Sequence, residues 1–352
     1  MQFNKLITIG NSEVGEGRPP YIIAEIGVNH NGDLGLAKKM VESAVAAGAN
    51  AAKFQTFKAE TLSTKSTEKV AYQKKSGPQD ETHYEMLRKL EMSDSMHKEL
   101  IKFCSEKNIE FLSTPYTIED AKYLQELSVS AFKIASADIV DIPLLEFCAK
   151  TRKPVIVSAG MATMEEIKEA VNIFVKYDNP NLVLLHCTSR YPTPNDAINL
   201  KVINTLKKEF QCLVGFSDHS EGNYAAIAAV ALGACILEKH FTLDKSLPGP
   251  DHKASTTPDE FSNLITGVKA VYLALGSSTK SVDPGEIEMR KTSRKSVVLR
   301  EDVKKGTLIE REHLTCKRPG TGILPKHIDK LVGKKTKRDI RKDELISFED
   351  IM

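Results

Sequence analysis

No apolar run in this chain approaches the roughly 20 residues that a membrane-spanning helix needs, so no membrane partner is expected. The opening stretch MQFNKLITIGNSEVGEG lacks the basic-then-apolar layout of a secretory leader. There is no CxxC pair. Cys104, Cys148, Cys187, Cys212, Cys235 and Cys316 are scattered, mostly within apolar runs, which points to free thiols in a reducing cytoplasm and away from a disulfide framework or zinc knuckle. No GxGxxG follows the first strand-like segment, so a dinucleotide-binding sheet has no support. What is present, 352 residues with 41% apolar and 27% charged, is too apolar for disorder and long enough for one large domain plus a smaller one. The net charge of +2 is uneven: residues 291–352 hold 17 Lys+Arg against 10 Asp+Glu, and the rest of the chain is acidic. A basic module of this kind suits nucleic acid, an anionic site on its own enzyme, or simply a solvated surface.

Eight short apolar runs recur: YIIAEIGV (21–28), AAKFQTF (51–57), IEFLSTP (109–115), AFKIAS (131–136), PVIVSAG (154–160), NLVLLHC (181–187), CLVGFSDH (212–219) and CILEKHFT (235–242). Amphipathic helical patterns lie between them, and Gly48 and Gly233 stand where such helices stop. About eight strand–helix units over about 250 residues is the rhythm of a (β/α)₈ barrel. In such barrels the active site forms at the C-terminal strand ends. That explains why these runs finish on polar residues: Glu25, Lys53, Gln55, Ser113, Thr114, Lys133, Ser136, Ser158, His186, Ser217, His219, Glu238 and His240. The long polar segment 58–95 is expected to be a lid or binding loop. Domain boundaries are placed at 1–284 for the barrel, 285–290 for a linker and 291–352 for a small β-domain. Within the latter, EDVKKGTLI (301–309) and RDIRKDELI (338–346) echo one another.

His219 and His240 fall at the ends of the seventh and eighth strands, which are neighbours in a closed barrel. Two neutral imidazoles there suit a divalent metal with open positions, acting as a Lewis acid; a hydrogen-bonded structural histidine is the alternative for either. Lys53 and Lys133, in otherwise buried strands, each need an anion, either a fixed carboxylate or a bound phosphate. Hydroxyls at Thr114, Ser136, Ser158 and Ser217 favour phosphate, although a Schiff-base aldolase would also use a barrel lysine. Glu25 and Asp138 could serve as general base, general acid or lysine partners. The loop NHNG (29–32) suits a turn, with Asp33 capping the following helix.

The stretches AEIGVNHNGDLGLAKKM, KFQTFKA, FLSTP, FKIAS, VSAGMAT, HCTSRYPTP, GFSDHS, LEKHFTLDKSLPGPDH and KRPGTG, in this order and over nearly the whole chain, resemble the sialic acid synthases. The resemblance implies a (β/α)₈ barrel followed by an antifreeze-like (SAF) domain, in a domain-swapped homodimer. It implies condensation of phosphoenolpyruvate with an N-acetylated hexosamine, N-acetylmannosamine first, giving N-acetylneuraminate and phosphate. In that scheme His219 and His240 hold Mn²⁺, or Mg²⁺ or Co²⁺. Lys53, Thr114, Lys133, Ser136, Ser158, Ser189 and Ser217 hold phosphoenolpyruvate, and Glu25 and Asp138 act on the aldehyde and the attacking water. Gln55, Tyr191 and Asp251 meet the sugar, and Arg318 reaches the N-acetyl group from the partner's tail. Two departures stand out: Ser136-Ala137-Asp138 replaces the SGE of many relatives, and Ser189 replaces a common Asn or Thr. The alternatives are a legionaminate or pseudaminate synthase taking a 2,4-diacetamido sugar, a phosphosugar-condensing barrel, a Schiff-base aldolase, and a sugar-binding barrel whose tail binds nucleic acid.

Overall fold

The chain opens on an antiparallel hairpin, β1 (Leu6–Ile9) and β2 (Ser12–Gly15). In the computed structural model, which describes residues 1–70, 73 and 80–352, eight parallel strands follow. They are β3 (Tyr21–Gly27), β4 (Ala51–Thr56), β5 (Glu110–Pro115), β6 (Phe132–Ile134), β7 (Val155–Ser158), β8 (Leu182–Cys187), β9 (Leu213–Asp218) and β10 (Ile236–His240). Each lies in one of the eight apolar runs. Their hydrogen-bonded order is β5-β4-β3-β10-β9-β8-β7-β6, and the two end strands, β5 and β6, pack side by side, which makes a nearly closed barrel.

Side chains alternate across each strand, and here both faces are buried. One set (Ile22, Ala24, Ala52, Phe54, Phe111, Phe132, Val155, Val157, Leu184, Val214 and Leu237) packs with the surrounding helices. The other set (Tyr21, Ile23, Ala51, Leu112, Ala131, Ile156, Val183, Leu185, Leu213 and Ile236) forms a separate interior cluster. Ile7, Ile9 and Val14 of the hairpin join that cluster and plug the barrel at the strands' N-terminal ends. Sequence reasoning missed this plug, since four-residue strands carry little periodic signal. Each fully buried isoleucine contributes about 1.5–3 kcal/mol.

The helices begin where their caps place them. Asp33 accepts from Leu36 N–H at the start of Leu34–Ala47, which ends at Gly48 in the left-handed region (φ 95°). Thr163 and Glu166 form a capping box for Met164–Lys176. Between β4 and β5 the insertion folds into the short helices Ala59–Leu62 and His83–Leu90, and Met86, Leu87 and Leu90 pack on Val28 and Phe57. Residues 71, 72 and 74–79 of this expected lid lie outside the described residues. No described helix is long and apolar enough to cross a membrane.

The chain divides into compact units at Met1–Gly276 and Ser277–Met352, upstream of the division at 284/285 read from composition. Most of the stretch read as linker, 285–290, belongs to the helix Glu286–Ser293, which buries none of its residues and therefore lacks the apolar stripe that would have marked it as a helix. The second unit pairs β11 (Ser296–Leu299) with β12 (Leu314–Lys317) over its own core of Val297, Leu299, Val303, Ile309, Leu314, Leu331, Ile340 and Ile346. The sequence echo is a structural one. Val303 and Ile340 exchange backbone hydrogen bonds, Asp302 accepts from Lys342 N–H, and Asp339 accepts from Lys305 N–H. Gly306 and Asp343, equivalent in the echo, both turn in the left-handed region.

Candidate active site

The interior set of side chains changes character toward the C-terminal strand ends. Continuing the same alternation, Tyr21 and Ile23 lead to Glu25, Ala51 to Lys53, Leu112 to Thr114 and Ala131 to Lys133. Likewise Ile156 leads to Ser158, Leu213 to Ser217, and Ile236 to Glu238 and His240. Together with Gln55, Ser136, Asp138, Tyr191, His219 and Asp251, the polar residues at these strand ends line one cavity of about 500 Å³. Ser189 is not among the residues lining it, and Arg318 lies in the second unit, exposed, with its Nε donating to the Ser293 carbonyl. The insertion supplies Leu62, Ser63, Thr64, Thr67, His83, Met86, Leu87 and Leu90 to the cavity, a contribution that composition alone marked only as a loop.

At the floor, two buried lysines meet two buried carboxylates. Lys53 Nζ stands 2.7 Å from Glu25 Oε2 and 3.8 Å from Glu238 Oε2, and donates to Thr114 Oγ1 at 3.0 Å. Lys133 Nζ stands 3.7 Å from Glu238 Oε1 and donates to Ser158 Oγ (2.7 Å) and to the Ile134 carbonyl (3.0 Å). Ser217 Oγ donates to Glu238 Oε1. The choice left open by sequence, fixed carboxylate or phosphate, therefore has an answer on the protein side: carboxylates answer both lysines. Glu238, singled out from sequence only as a polar strand end, is the residue missed. The available signal was its position two before His240, on the same interior face.

Burial pushes the Glu25 carboxyl up to about 7, Glu238 adding to the shift and Lys53 opposing it. For Glu238, burial acts the same way, but Lys133 and Lys53 outweigh it and hold the carboxyl low. Burial alone would depress both lysines. It does so for Lys133, whereas Glu238 and Glu25 hold Lys53 above its usual value.

His219 and His240 lie on adjacent strands with ring centroids 5.5 Å apart, and the Tyr191 ring sits 4.2 Å from the first and 5.6 Å from the second. Burial lowers the pKa of both imidazoles, so they are neutral near pH 7. His219 Nδ1 is 2.9 Å from the Thr188 carbonyl, which can only accept, so the proton is on Nδ1 and Nε2 keeps its lone pair. His240 Nδ1 is buried without a hydrogen bond and lies 4.0 Å from Asp251 Oδ2. Among the described residues no group of three or more His, Cys, Asp or Glu side chains converges as a metal cage. The donor set is thus two neutral nitrogens with the remaining positions open, and these residues fit a divalent ion that also takes water or substrate oxygens. The histidine one residue before the end of β8, His186, has the opposite alternation. It bonds the Ile198 carbonyl at 2.6 Å and stacks on Phe216 outside the barrel interior.

Gly160 passes so close to Ser136 and Ser189 that a Cβ would come within 2.5 Å and 2.3 Å of their hydroxyl oxygens. Gly160 N–H donates to Ser136 Oγ. This places Ser189 beside Ser136, at the edge of the site.

Asp138 is half-buried, Oδ2 accepts no hydrogen bond, and burial followed by Asp141 pushes its carboxyl up to about 7. A folded-state value above the unfolded one favours folding below the ordinary carboxyl range, and that contribution is lost as pH rises through about 7. Asp138→Asn is therefore expected to gain stability relative to the parent between pH 4 and pH 8. The gain should be on the order of 1 kcal/mol after allowance for solvent screening. Urea midpoints at both pH values check this, and an unchanged difference would mean the carboxyl titrates normally.

Comparison with known proteins places the chain in a family. The NeuB family model matches residues 40–280, and the SAF domain model matches residues 294–352. This chain belongs to the NeuB family. It is 44% identical over 335 residues to the N,N'-diacetyllegionaminic acid synthase of Legionella pneumophila, covering 94% of each chain. It is 39% identical to the human N-acetylneuraminate-9-phosphate synthase, covering 96% of this chain and 94% of that one. Among solved structures it is similar to the N-acetylneuraminic acid synthetase of Leptospira borgpetersenii in complex with citrate. That match has a TM-score of 0.73 and 37% identity, over 82% of this chain and 96% of that one. As a NeuB-family member the chain is an enzyme, a synthase with a barrel and a SAF unit.

Proposed function

We propose that this NeuB-family synthase condenses phosphoenolpyruvate with the open-chain form of an N-acetylated hexose, giving a nine-carbon 2-keto acid and inorganic phosphate. The observation that carries the reading is the cavity itself. Buried Lys53 and Lys133, ringed by Thr114, Ser158 and Ser217, face the same space as two neutral imidazoles. The lysines and hydroxyls, with Ser136 and Ser189, hold the phosphate and carboxylate of phosphoenolpyruvate by charge-assisted hydrogen bonds. His219 and His240 hold a divalent metal, Mn²⁺ foremost, which when bound supplies Lewis-acid polarisation of the sugar aldehyde. Gln55, Tyr191 and Asp251 orient the sugar. C3 of phosphoenolpyruvate attacks the aldehyde carbon and the aldehyde oxygen takes up a proton. Water adds at C2, giving up a proton to Asp138 or Glu25, and the resulting tetrahedral carbon expels phosphate as its hydroxyl becomes the ketone.

Sequence reasoning put N-acetylmannosamine first as the sugar. Two observations favour the 2,4-diacetamido-trideoxy sugar of the legionaminate branch. The 44%-identical relative is named for that product, and the insertion lines the cavity with Leu62, Met86, Leu87 and Leu90, which suit methyl groups better than a hydroxymethyl. Arg318 is assigned to the N-acetyl group of a substrate in the partner's barrel, so the working form is a homodimer with exchanged second units. The setting proposed is the cytoplasm, in keeping with six free cysteines.

Phosphate release from phosphoenolpyruvate, with N-acetylmannosamine and the two diacetamido sugars offered in parallel, tests the reading. Release that needs one sugar and stops with EDTA is expected, whereas release with none of them would overturn it. Gly160→Ala should lower kcat/KM for phosphoenolpyruvate on the order of 100-fold by displacing Ser136 and Ser189, with kcat/KM for the sugar changed far less at saturating phosphoenolpyruvate. Unchanged kinetics would remove those serines from the anion site.

A further inference from the structure

Residues 218 and 239 sit one position before each of the two site histidines, and the strand alternation turns their side chains to the other side of the barrel wall. There Asp218 Oδ2 and Lys239 Nζ meet at 2.6 Å, both side chains at least 95% buried. The two residues are cross-strand partners in the β9–β10 register. The pair is extended at both ends by one residue. Ser220 donates its N–H (2.9 Å) and its hydroxyl (2.6 Å) to Asp218 Oδ1, and its carbonyl accepts from Lys239 Nζ at 2.9 Å. The chain leaving β9 is thereby folded back onto β10 across His219. The Thr188 and Thr193 contacts hold His219 from the β8 side, through its ring nitrogen and its carbonyl.

A buried ion pair gives little net stability, because desolvating both charges costs about what their attraction returns. What such a pair does impose is geometry, since neither charge tolerates loss of the other. We infer that Asp218 and Lys239 are positioning residues: their ion pair, closed by Ser220, sets the spacing at which His219 and His240 present their nitrogens to a metal. This rests on the metal assignment of the proposed function only for its consequence, while the spacing itself belongs to the protein.

The test uses the full chain with Asp218→Asn and Lys239→Met together, which removes both charges, leaves none unpaired and keeps an acceptor for Ser220. Asp218→Leu with Lys239→Met is a second, fully apolar version should the first not fold. The expected result is a folded protein whose Tm is equal to or above the parent's. Its Mn²⁺ affinity, read from the free-ion EPR signal during titration, should be 10- to 100-fold weaker, the range found when groups behind a metal ligand are lost. In its crystal structure the two imidazoles should have left their 5.5 Å separation. A folded variant with parental Mn²⁺ affinity and unmoved rings would overturn the inference. A parent protein that binds no Mn²⁺ would instead sink the metal assignment, and the ring positions in the variant would still decide this one.

Discussion

Alanine at His219 or at His240 is expected to cost at least about 10³-fold in turnover and to abolish retention of a divalent ion. On the proposed function, removing one of the two nitrogen donors would forfeit several kcal/mol of aldehyde polarisation. Both imidazoles are already neutral, held so by burial, so no proton has to leave before they ligate. The informative control is His186→Ala. That histidine also lies near a strand end, but it is spent on the Ile198 carbonyl, so its loss should lower Tm while leaving metal content intact. Metal analysis of the purified variants and phosphate release distinguish the cases. A His219→Ala protein with full activity and full metal content would end the assignment.

The second large effect is expected at Lys53. Lys53→Met leaves Glu25 and Glu238 facing one another without the cation that stands 2.7 Å from the first and 3.8 Å from the second. Breaking a buried pair from one side costs about 3–5 kcal/mol. The Glu25 carboxyl, already raised to about 7, should rise further. Stability of the variant should therefore fall more at pH 8 than at pH 5, where Glu25 takes up a proton. Adding Glu25→Gln should restore much of the stability by removing the uncompensated charge, and should not restore turnover, since the cation proposed to bind phosphate would still be missing. Chemical denaturation and phosphate release, measured on the single and double variants, separate the two consequences. Recovery of both together in the double variant would show Lys53 to be a structural partner of Glu25 and no more.

Much of the site was legible because a strand's alternation is local. Once 212–219 and 235–242 are read as strands, Ser217 and His219 share one face, as do Glu238 and His240, while Asp218 and Lys239 share the other. The stop signals at Gly48 and the cap at Asp33 were equally local. The helix over 286–293 went unannounced for a local reason too: it buries nothing, so no apolar stripe marks it. The hairpin plug escaped because its strands are too short for a period to register.

Composition, alternation and motif order thus determined by themselves that this chain makes a barrel with a small β-unit, and which residue types stand at its strand ends. Only the tertiary structure decided who meets whom. It set Glu238 between the two lysines, gave those lysines carboxylate partners, and turned His186 away from the cavity that His219 and His240 enter. It also brought β10 beside β3, so that His240 is paired with Glu25 across the whole length of the barrel chain. The physical reason is that a strand's faces follow from the period of its own backbone. Its neighbours, and hence the partner of every buried charge, follow from closure of the sheet, a property of all eight strands at once.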